Sequence, residues 1–406
     1  MYTDKDTITL ENNGTIEGGD KTVGIYGYNA NLGATSTTKV GSGGTGVYSK
    51  GGNVTINGGT LSIGENGTTG SNDAVGVYYV GQGGTITSNA TDVKIGNSAY
   101  GFVVQNENGT GVTLTTNTPN VTLGEDAVYV YSNNKAGTVT NNTALTSTGG
   151  GNYGVYSAGT VTNNANINFG SGIGNVGIYS IDSSNGNSAN ATNNAIITVG
   201  ATDAANQKFS IGMAAGYGTS GSGTITNNGT INVNGAGGSI GMYGTGANTR
   251  VVNGATGTIN LGANEAIGMY LDNGAYGINN GIIKSNGTGL KKVVGMVVKN
   301  GSTIENNGTI QANGDKSIGL YGETNDLYGR GLTSSNGSIT NNGKLILTGN
   351  KAVGIVSKRA TVKLNGTGSS DIILGKEGIG VYAENSPVTL NSNYGIEIKD
   401  KGTGIY

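Results

Sequence analysis

The stretch that decides the fold is SGTITNNGTINVNGAGGSIGMYGTGA, residues 222–247. It contains three short segments in which apolar and polar residues alternate, and Asn and Gly separate each segment from the next. Alternation with a period of two residues is typical of β-strands, and Asn and Gly favour the turns between strands. Because the same pattern recurs from one end of the chain to the other, the sequence predicts a repeat protein built from strands.

One marker recurs in every repeat: an apolar residue, Gly, a second apolar residue and Tyr, as in VGIY at Val23–Tyr26. We count fifteen copies, with AVYV at Ala127–Val130 taken as a copy that lacks the glycine. The positions of Gly24 and Gly404, fourteen steps apart, give about 27 residues per repeat. A repeat of this length made only of strands predicts an all-β fold, a single-stranded parallel β-helix (β-solenoid) of about 15 coils with three strands per coil. We expect it to form one domain over residues 1–406.

Asparagine pairs mark one turn of most repeats, for example in Asn227–Gly229 and Asn306–Gly308. Stacked coils place equivalent side chains about 4.8 Å apart. We therefore expect the asparagine amides of successive coils to hydrogen-bond in a ladder. A meander of hairpins is the competing interpretation of the Asn-Gly turns, but it does not explain a shared period of about 27 residues.

Alternation within the marker predicts which residues are buried. In IGMY we expect Ile240 and Met242 to face the interior and Gly241 to face outward. Ten copies have Tyr at the fourth position, and no charged or amide residue occurs there. We interpret this column as a partly buried aromatic stack near a corner, with a ligand-binding strip of exposed rings as the alternative. The copies without Tyr have Val103, Val130, Ala214, Val297 and Val356.

Two steps of the repeat are 35 residues long and predict longer loops within residues 180–210 and 322–338. The second loop concentrates aromatic and charged groups in a chain that is poor in both. Tyr and Arg are enriched at binding hot spots, so we predict a ligand-binding site there. The alternative is a tolerated surface insertion without a function. The candidate ligand-binding residues are Asp326, Leu327, Tyr328 and Arg330.

The sequence gives little support for catalysis. It contains no His and no Cys, which excludes the usual nucleophilic triads and the usual zinc sites. Asp315 and Glu323 are close in sequence, but no further acid or Arg recurs beside them as glycoside hydrolysis would need. We therefore predict no enzyme activity and no catalytic, cofactor-binding or metal-binding residues. With a net charge of −2 and no Lys/Arg cluster, we also expect no nucleic-acid partner.

Tandem NNGTI and VGIYG-type units carry a family resemblance. Asn12–Ile16 with Val23–Gly27, and Asn306–Ile310 with Ile318–Gly322, resemble the passenger domains of large fusobacterial autotransporter adhesins of the RadD-like kind. These are type V secreted outer-membrane proteins, and the resemblance covers essentially the whole chain. It implies a right-handed parallel β-helix on the extracellular side of the bacterial surface, and a C-terminal membrane β-barrel outside this chain as the only membrane attachment. The chain is accordingly expected to be a fragment of a longer passenger.

The resulting hypothesis is a non-enzymatic surface adhesin segment. Its β-helix would be a rigid, monomeric stalk that displays loops for binding a host-cell protein or glycan, or another bacterium. A purely structural spacer with no ligand site is the first alternative. A polysaccharide-acting β-helix enzyme is the second.

Overall fold

The computed structural model describes residues 1–64, 73–182, 189–285, 287, 289–324, 337–366, 368 and 370–406. In these residues the chain forms strands and turns, and no helix is long and apolar enough to cross a membrane. The strands belong to three parallel sheets of fifteen strands each, visited in strict rotation. Each coil therefore has three strands, and the predicted solenoid of about 15 coils is confirmed.

The coils fall into two compact units: residues 1–182 and 189–197 form unit 1, and residues 198–406 form unit 2, so the boundary falls within the strand Ile196–Val199, which is grouped with unit 1. The expected single domain over residues 1–406 stays a prediction. The strands of unit 1 are β1 (Thr9–Asn12), β2 (Thr15–Gly18), β3 (Val23–Gly27), β4 (Asn29–Leu32), β5 (Thr37–Val40), β6 (Thr45–Ser49), β7 (Asn53–Ile56), β8 (Thr60–Ile63), β9 (Val75–Tyr79), β10 (Thr85–Ser88), β11 (Asp92–Ile95), β12 (Tyr100–Val104), β13 (Thr113–Thr116), β14 (Asn120–Leu123), β15 (Val128–Ser132), β16 (Thr138–Asn141), β17 (Ala144–Ser147), β18 (Tyr153–Ser157), β19 (Thr160–Asn163), β20 (Ile167–Phe169), β21 (Val176–Ser180), β22 (Asn190–Asn193) and β23 (Ile196–Val199).

Unit 2 continues the same rotation. Its strands are β24 (Ile211–Ala215), β25 (Ser222–Asn227), β26 (Thr230–Val233), β27 (Ile240–Thr245), β28 (Asn248–Asn253), β29 (Thr258–Leu261), β30 (Ile267–Asp272), β31 (Tyr276–Asn279), β32 (Ile282–Ser285), β33 (Val294–Lys299), β34 (Thr303–Asn306), β35 (Thr309–Ala312), β36 (Ile318–Glu323), β37 (Ser338–Asn341), β38 (Lys344–Leu347), β39 (Val353–Lys358), β40 (Thr361–Leu364), β41 (Ile372–Lys376), β42 (Ile379–Glu384), β43 (Val388–Leu390), β44 (Ile396–Asp400) and β45 (Thr403–Ile405). We call the sheets that begin with β1, β2 and β3 sheet 1, sheet 2 and sheet 3; each takes every third strand.

Aliphatic side chains of all three sheets meet inside each unit. In sheet 1, for example, Val54, Ile86, Leu114 and Val139 lie in register on consecutive strands and are at most 3% exposed. Burying a side chain of this size stabilises the fold by about 1.5–3 kcal/mol. Because each row continues on the next coil, every interior coil obtains its core contacts from its two neighbours.

Asparagine ladders run along both units, as predicted. In most Asn-Asn pairs the first amide belongs to a buried inner ladder and the second to an outer ladder at the surface. In unit 2 the inner ladder joins Asn227, Asn253, Asn279, Asn306 and Asn341 through Nδ2-to-Oδ1 hydrogen bonds of 2.8–3.0 Å. The outer ladder of unit 1 joins Asn89, Asn117, Asn142, Asn164 and Asn194 at 2.8–3.0 Å. The inner ladder satisfies amides that would otherwise be buried without partners.

The glycine of the marker faces inward, which corrects our expectation that Gly241 faces outward. Met242 faces the interior as expected, and Gly241 is buried beside it. Ile240 is buried too, but it lies in register with Ile267 on the outer face of the sheet, so our expectation that it faces the interior is wrong. A Cβ atom on Gly241 would lie 2.6 Å from the carbonyl oxygen of Gly268 and 2.7 Å from Cγ2 of the core residue Ile259. Two successive residues therefore face the interior, and at Gly241 a side chain would collide with the backbone of the next coil.

One copy of the marker is shifted by a residue from our assignment. Val128 and Tyr131 pair with Tyr153 and Tyr156 of the next coil, so this copy is VYVY rather than AVYV at Ala127–Val130. Val130 thus belongs to the buried column, and the Tyr column continues through Tyr131. Tyr129 takes the inward glycine position, where its ring meets the edge of Phe102 at a centroid distance of 5.6 Å. With no glycine in this copy, the sequence alone could not fix the register.

Candidate functional site

The predicted ligand-binding residues Asp326, Leu327, Tyr328 and Arg330 fall within residues 325–336, outside the described residues. The structure does describe where this segment leaves and rejoins the solenoid. The backbone N–H of Gly337 donates to Oγ1 of Thr324 at 3.2 Å, and the N–H of Thr324 donates to the carbonyl of Lys358 at 3.1 Å. The two ends of the insertion are therefore held side by side at the turn between sheets 3 and 1.

A charged cluster lies at the start of this insertion. Glu323 ends β36, and its outward position brings it into register with Lys299 of β33 and Lys358 of β39. The Lys299 ammonium contacts Oε2 of Glu323, and the Tyr321 hydroxyl donates to the same oxygen at 2.7 Å. Lys299 Nζ also lies 5.1 Å from the centre of the Tyr321 ring, within the range of a cation–π contact.

These contacts set the protonation states of the cluster. Hydrogen bonds from Lys299 and Tyr321 lower the pKa of Glu323, and the positive charges of Lys299 and Lys358 act in the same direction. Burial raises the pKa of Tyr321, and the hydrogen bond to the Glu323 carboxylate raises it further. At neutral pH the cluster is an ion pair with a neutral phenol. A carboxylate held ionised in this way suits recognition through hydrogen bonds and is a poor general acid.

The two acids that the sequence placed near each other do not converge. Asp315 precedes β36, and its backbone forms an isolated parallel β-bridge with Lys291. Glu323 lies at the other end of the strand. A six-residue strand is about 20 Å long. The carboxyl pairs of glycoside hydrolases lie about 5–9.5 Å apart, so Asp315 and Glu323 are not placed to act together. Within the described ranges, no three Asp or Glu side chains come together in a way that could hold a metal ion.

Tyrosines line the outer surface of sheet 3 as a half-buried column. In unit 1 the rings of Tyr2, Tyr26, Tyr48 and Tyr78 stack with centroid distances of 5.0–5.4 Å and interplanar angles of 10–19°. Each inner ring thus has a neighbouring ring over each face, and Tyr26 and Tyr48 are half-buried. The interpretation of a partly buried aromatic stack is confirmed. It lies along strands of a sheet and not at a corner.

A second aromatic and charged cluster on sheet 1 of unit 2 was missed in the sequence analysis. Arg250 of β28 lies in register with Tyr276 of β31, and its guanidinium carbon is 5.1 Å from the ring centre. The Tyr276 hydroxyl donates to Oε2 of Glu305 at 2.8 Å, and Asn342 Nδ2 donates to Oε1 at 3.1 Å. Alignment of the coils could have found it, because Arg250 is one of only three arginines and occupies a position where neighbouring coils have Thr or Tyr.

Two surface depressions lie away from the insertion. The larger, of 440 Å³, lies over sheet 2 of unit 1 and is lined by Asp92, Lys94, Asn120 and Thr122, among others. Asp92 and Lys94 pair with each other at 3.7 Å, and both side chains are about half exposed. A depression of 340 Å³ in unit 2 is lined by Asp315, Lys316, Asn350, Lys351, Lys376 and Glu377. Exposed ion pairs of this kind contribute little to stability or to binding.

Comparison with known proteins identifies the family. The family model described as the BigA third pectate lyase-like domain matches residues 6–281, about two thirds of the chain. BigA is a bacterial autotransporter-like surface protein, and its pectate lyase-like domain is a right-handed β-helix. No curated protein and no solved structure matches the chain. The match agrees with the parallel three-sheet solenoid of the described residues, so this chain belongs to the family of the BigA third pectate lyase-like domain.

Proposed function

We propose that the chain is a non-enzymatic segment of a surface adhesin, in which the β-helix displays loops that bind a host-cell protein or glycan or another bacterium. The observation that carries the proposal is the family match, since BigA is a bacterial autotransporter-like surface protein. Within this class we favour the fusobacterial RadD-like adhesins, on the resemblance of the NNGTI and VGIYG units. The segment would then act on the extracellular side of the outer membrane.

We further propose that binding depends on Asp326, Leu327, Tyr328 and Arg330. Two observations support this choice. The insertion carries Tyr and Arg, which are over-represented at hot spots. It also starts and ends at backbone positions joined by the hydrogen bond between Gly337 and Thr324, next to the ion pair of Lys299 and Glu323. A loop with fixed ends loses less conformational entropy when it binds.

A deletion tests the proposal directly. Removing residues 325–336 and joining Thr324 to Gly337 should preserve the solenoid, because these two residues are already hydrogen-bonded. We expect binding to host cells or partner bacteria to fall at least tenfold, which corresponds to about 1.4 kcal/mol. The matched control removes residues 204–207, whose flanks Asp203 and Lys208 are joined by two backbone hydrogen bonds of 2.9 Å. Equal binding by the deletion variant and the control would refute the assignment of the loop.

A structural spacer without a ligand is the second candidate. The asparagine ladders and the stacked tyrosines favour it, since stacking of the coils accounts for both features without any ligand. In that case the isolated chain would bind none of the cells that bind the full-length surface protein. Point variants Tyr328→Ala and Arg330→Ala, compared with Tyr217→Ala at a site that is 62% exposed, would separate a loop-borne ligand site from a passive stalk.

A further inference from the structure

On the outer surface of sheet 3 in unit 2, the side chains alternate in size and charge from one coil to the next between β30 and β42. Three outward positions lie in register on strands β30 to β42. At these positions β30, β36 and β42 each carry Ile, Tyr and an acidic residue. They are Ile267, Tyr270 and Asp272; Ile318, Tyr321 and Glu323; and Ile379, Tyr382 and Glu384. The strands between them, β33 and β39, carry two Val residues and a Lys at the same positions. They are Val294, Val297 and Lys299, and Val353, Val356 and Lys358.

This alternation makes the surface corrugated. The tyrosines are half-buried ridges, whereas Val297 and Val356 are only 5% and 9% exposed and form the floors of the furrows between them. Since coils are spaced about 4.8 Å apart, ridges repeat about every 9.6 Å. Each ridge has a negative charge at one end, and each furrow has a positive charge at the same end.

We propose that this face binds the same face of a second copy of the chain, with the two solenoid axes antiparallel. The two-fold axis runs parallel to the strands and passes between β33 and β36. In this arrangement Tyr321 of one copy lies over the furrow at Val297 of the other. The same symmetry places Tyr270 over the furrow at Val356, and it sets Ile side chains against Val side chains in the first column. An isologous contact of this kind makes a closed dimer.

Charge selects this register. The two-fold axis sets Glu323 opposite Lys299 and Asp272 opposite Lys358, in both directions across the interface. If one copy were shifted by one coil along the other, Glu323 would face Glu323 of the second copy and Lys299 would face Lys358. Ridges would then meet ridges. Juxtaposed like charges penalise that alternative, so the alternation specifies both the partner and the register.

The symmetric part of the face is small. The two-fold axis pairs β30 with β39 and β33 with β36, so four coils at about 4.8 Å and six-residue strands at about 3.3 Å per residue give about 380 Å² on each copy. Beyond them Tyr382 would face Tyr243 of β27, where ridge meets ridge, so these two strands add no nested contact. The total of about 760 Å² lies below the usual lower limit of specific interfaces, about 1,000 Å², so the contact is a weak and transient one. We therefore expect reversible association that depends on concentration. The sequence predicted a monomer, and this proposal replaces that expectation; it also needs no receptor and so goes beyond the proposed function.

The alternation also pairs charges within one chain, as the contact of Lys299 with Glu323 shows. A charge-swap experiment separates the two roles. The double variant K299E/K358E makes the column acidic, and the double variant D272K/E323K makes it basic. Both lose the intrachain alternation, and each alone should stay monomeric at concentrations where the unchanged protein dimerises. Mixed in equal amounts, they should form a heterodimer, because every opposed pair then joins an acid to a base.

Sedimentation velocity over a range of concentrations gives the readout, and circular dichroism checks that each variant is folded. The swap E17K/K39E, which reverses an exposed pair at 3.3 Å on sheet 2 of unit 1, is the matched control and should dimerise normally. A monomeric unchanged protein at its highest soluble concentration would overturn the proposal. Failure of the two folded variants to associate when mixed would overturn it as well.

A shape variant keeps the test independent of charge. V297Y fills one furrow and continues the tyrosine column between Tyr270 and Tyr321, as the stacked rings of unit 1 do at 5.0–5.4 Å. We expect its thermal stability to be unchanged or higher and its dimerisation to weaken at least tenfold. A folded V297Y that dimerises as tightly as the unchanged protein would refute the nesting of ridges in furrows.

Discussion

Replacing an inward glycine of sheet 3 by alanine should destabilise the solenoid although the change adds a single methyl group. At Gly154 a Cβ atom would lie 2.5 Å from the carbonyl oxygen of Gly177 and 3.2 Å from Cδ1 of Ile167. Since the closest atom is backbone of the next coil, a side-chain rotation cannot relieve the contact. Overpacking of a core by one methyl group costs about 1–3 kcal/mol.

The control is Gly14→Ala, where no atom lies within 4 Å of the new Cβ. Both changes reduce the freedom of the unfolded chain, which by itself stabilises by about 0.4–1 kcal/mol. The difference between the two variants therefore isolates the clash. Equilibrium urea unfolding followed by circular dichroism should give Gly154→Ala a free energy of unfolding about 1–3 kcal/mol below that of Gly14→Ala. If the two variants unfold at the same urea concentration, the steric explanation of the glycine column is wrong.

Three further changes test the ladders and the ionisable groups. Asn279→Ala interrupts the inner ladder in the core, so we expect urea unfolding to show a loss of about 1–3 kcal/mol, against at most about 0.5 kcal/mol for Asn307→Ala on the exposed outer ladder. Burial raises the pKa of Tyr129 to about 12. Its contribution to stability is therefore complete below pH about 10 and is lost as the pH rises toward 12, and Tyr129→Phe should flatten the alkaline part of a melting-temperature profile. Hydrogen bonds from Lys299 and Tyr321 lower the pKa of Glu323. Its contribution is therefore complete above pH about 4.3 and is lost as the pH falls through the lowered pKa, so Glu323→Gln should melt with less dependence on acid than the unchanged protein.

Much of the architecture could be predicted because every coil of a stacked repeat has the same structural requirements, so the same residue pattern recurs many times in the sequence. The spacing of the glycine marker gave the number of coils, and the Asn-Asn pairs gave the ladder. The inward direction of Gly241 could not be predicted from a period of two, since both Gly241 and Met242 face the core. That departure depends on the carbonyl oxygen of the following coil, a contact between residues 27 positions apart.

The candidate site was less accessible to sequence reasoning. Composition drew attention to residues 325–336 but could not show that the flanking residues Thr324 and Gly337 are joined, or that Glu323 is held by Lys299. The cluster of Arg250, Tyr276 and Glu305 was missed for a similar reason. Its members are far apart in sequence and come together only when three consecutive coils are placed in register.

The strict rotation of the chain through three sheets also determines how the protein should respond to pulling. Backbone hydrogen bonds between coils point along the stacking direction, whereas the covalent chain runs almost perpendicular to it. Each coil adds only about 4.8 Å of height, yet its roughly 27 residues span about 90 Å when extended. Force applied to one end would therefore peel off one coil at a time, and each release would lengthen the chain by many times the height lost. A unit of this kind is stiff under small loads and absorbs energy stepwise under large ones.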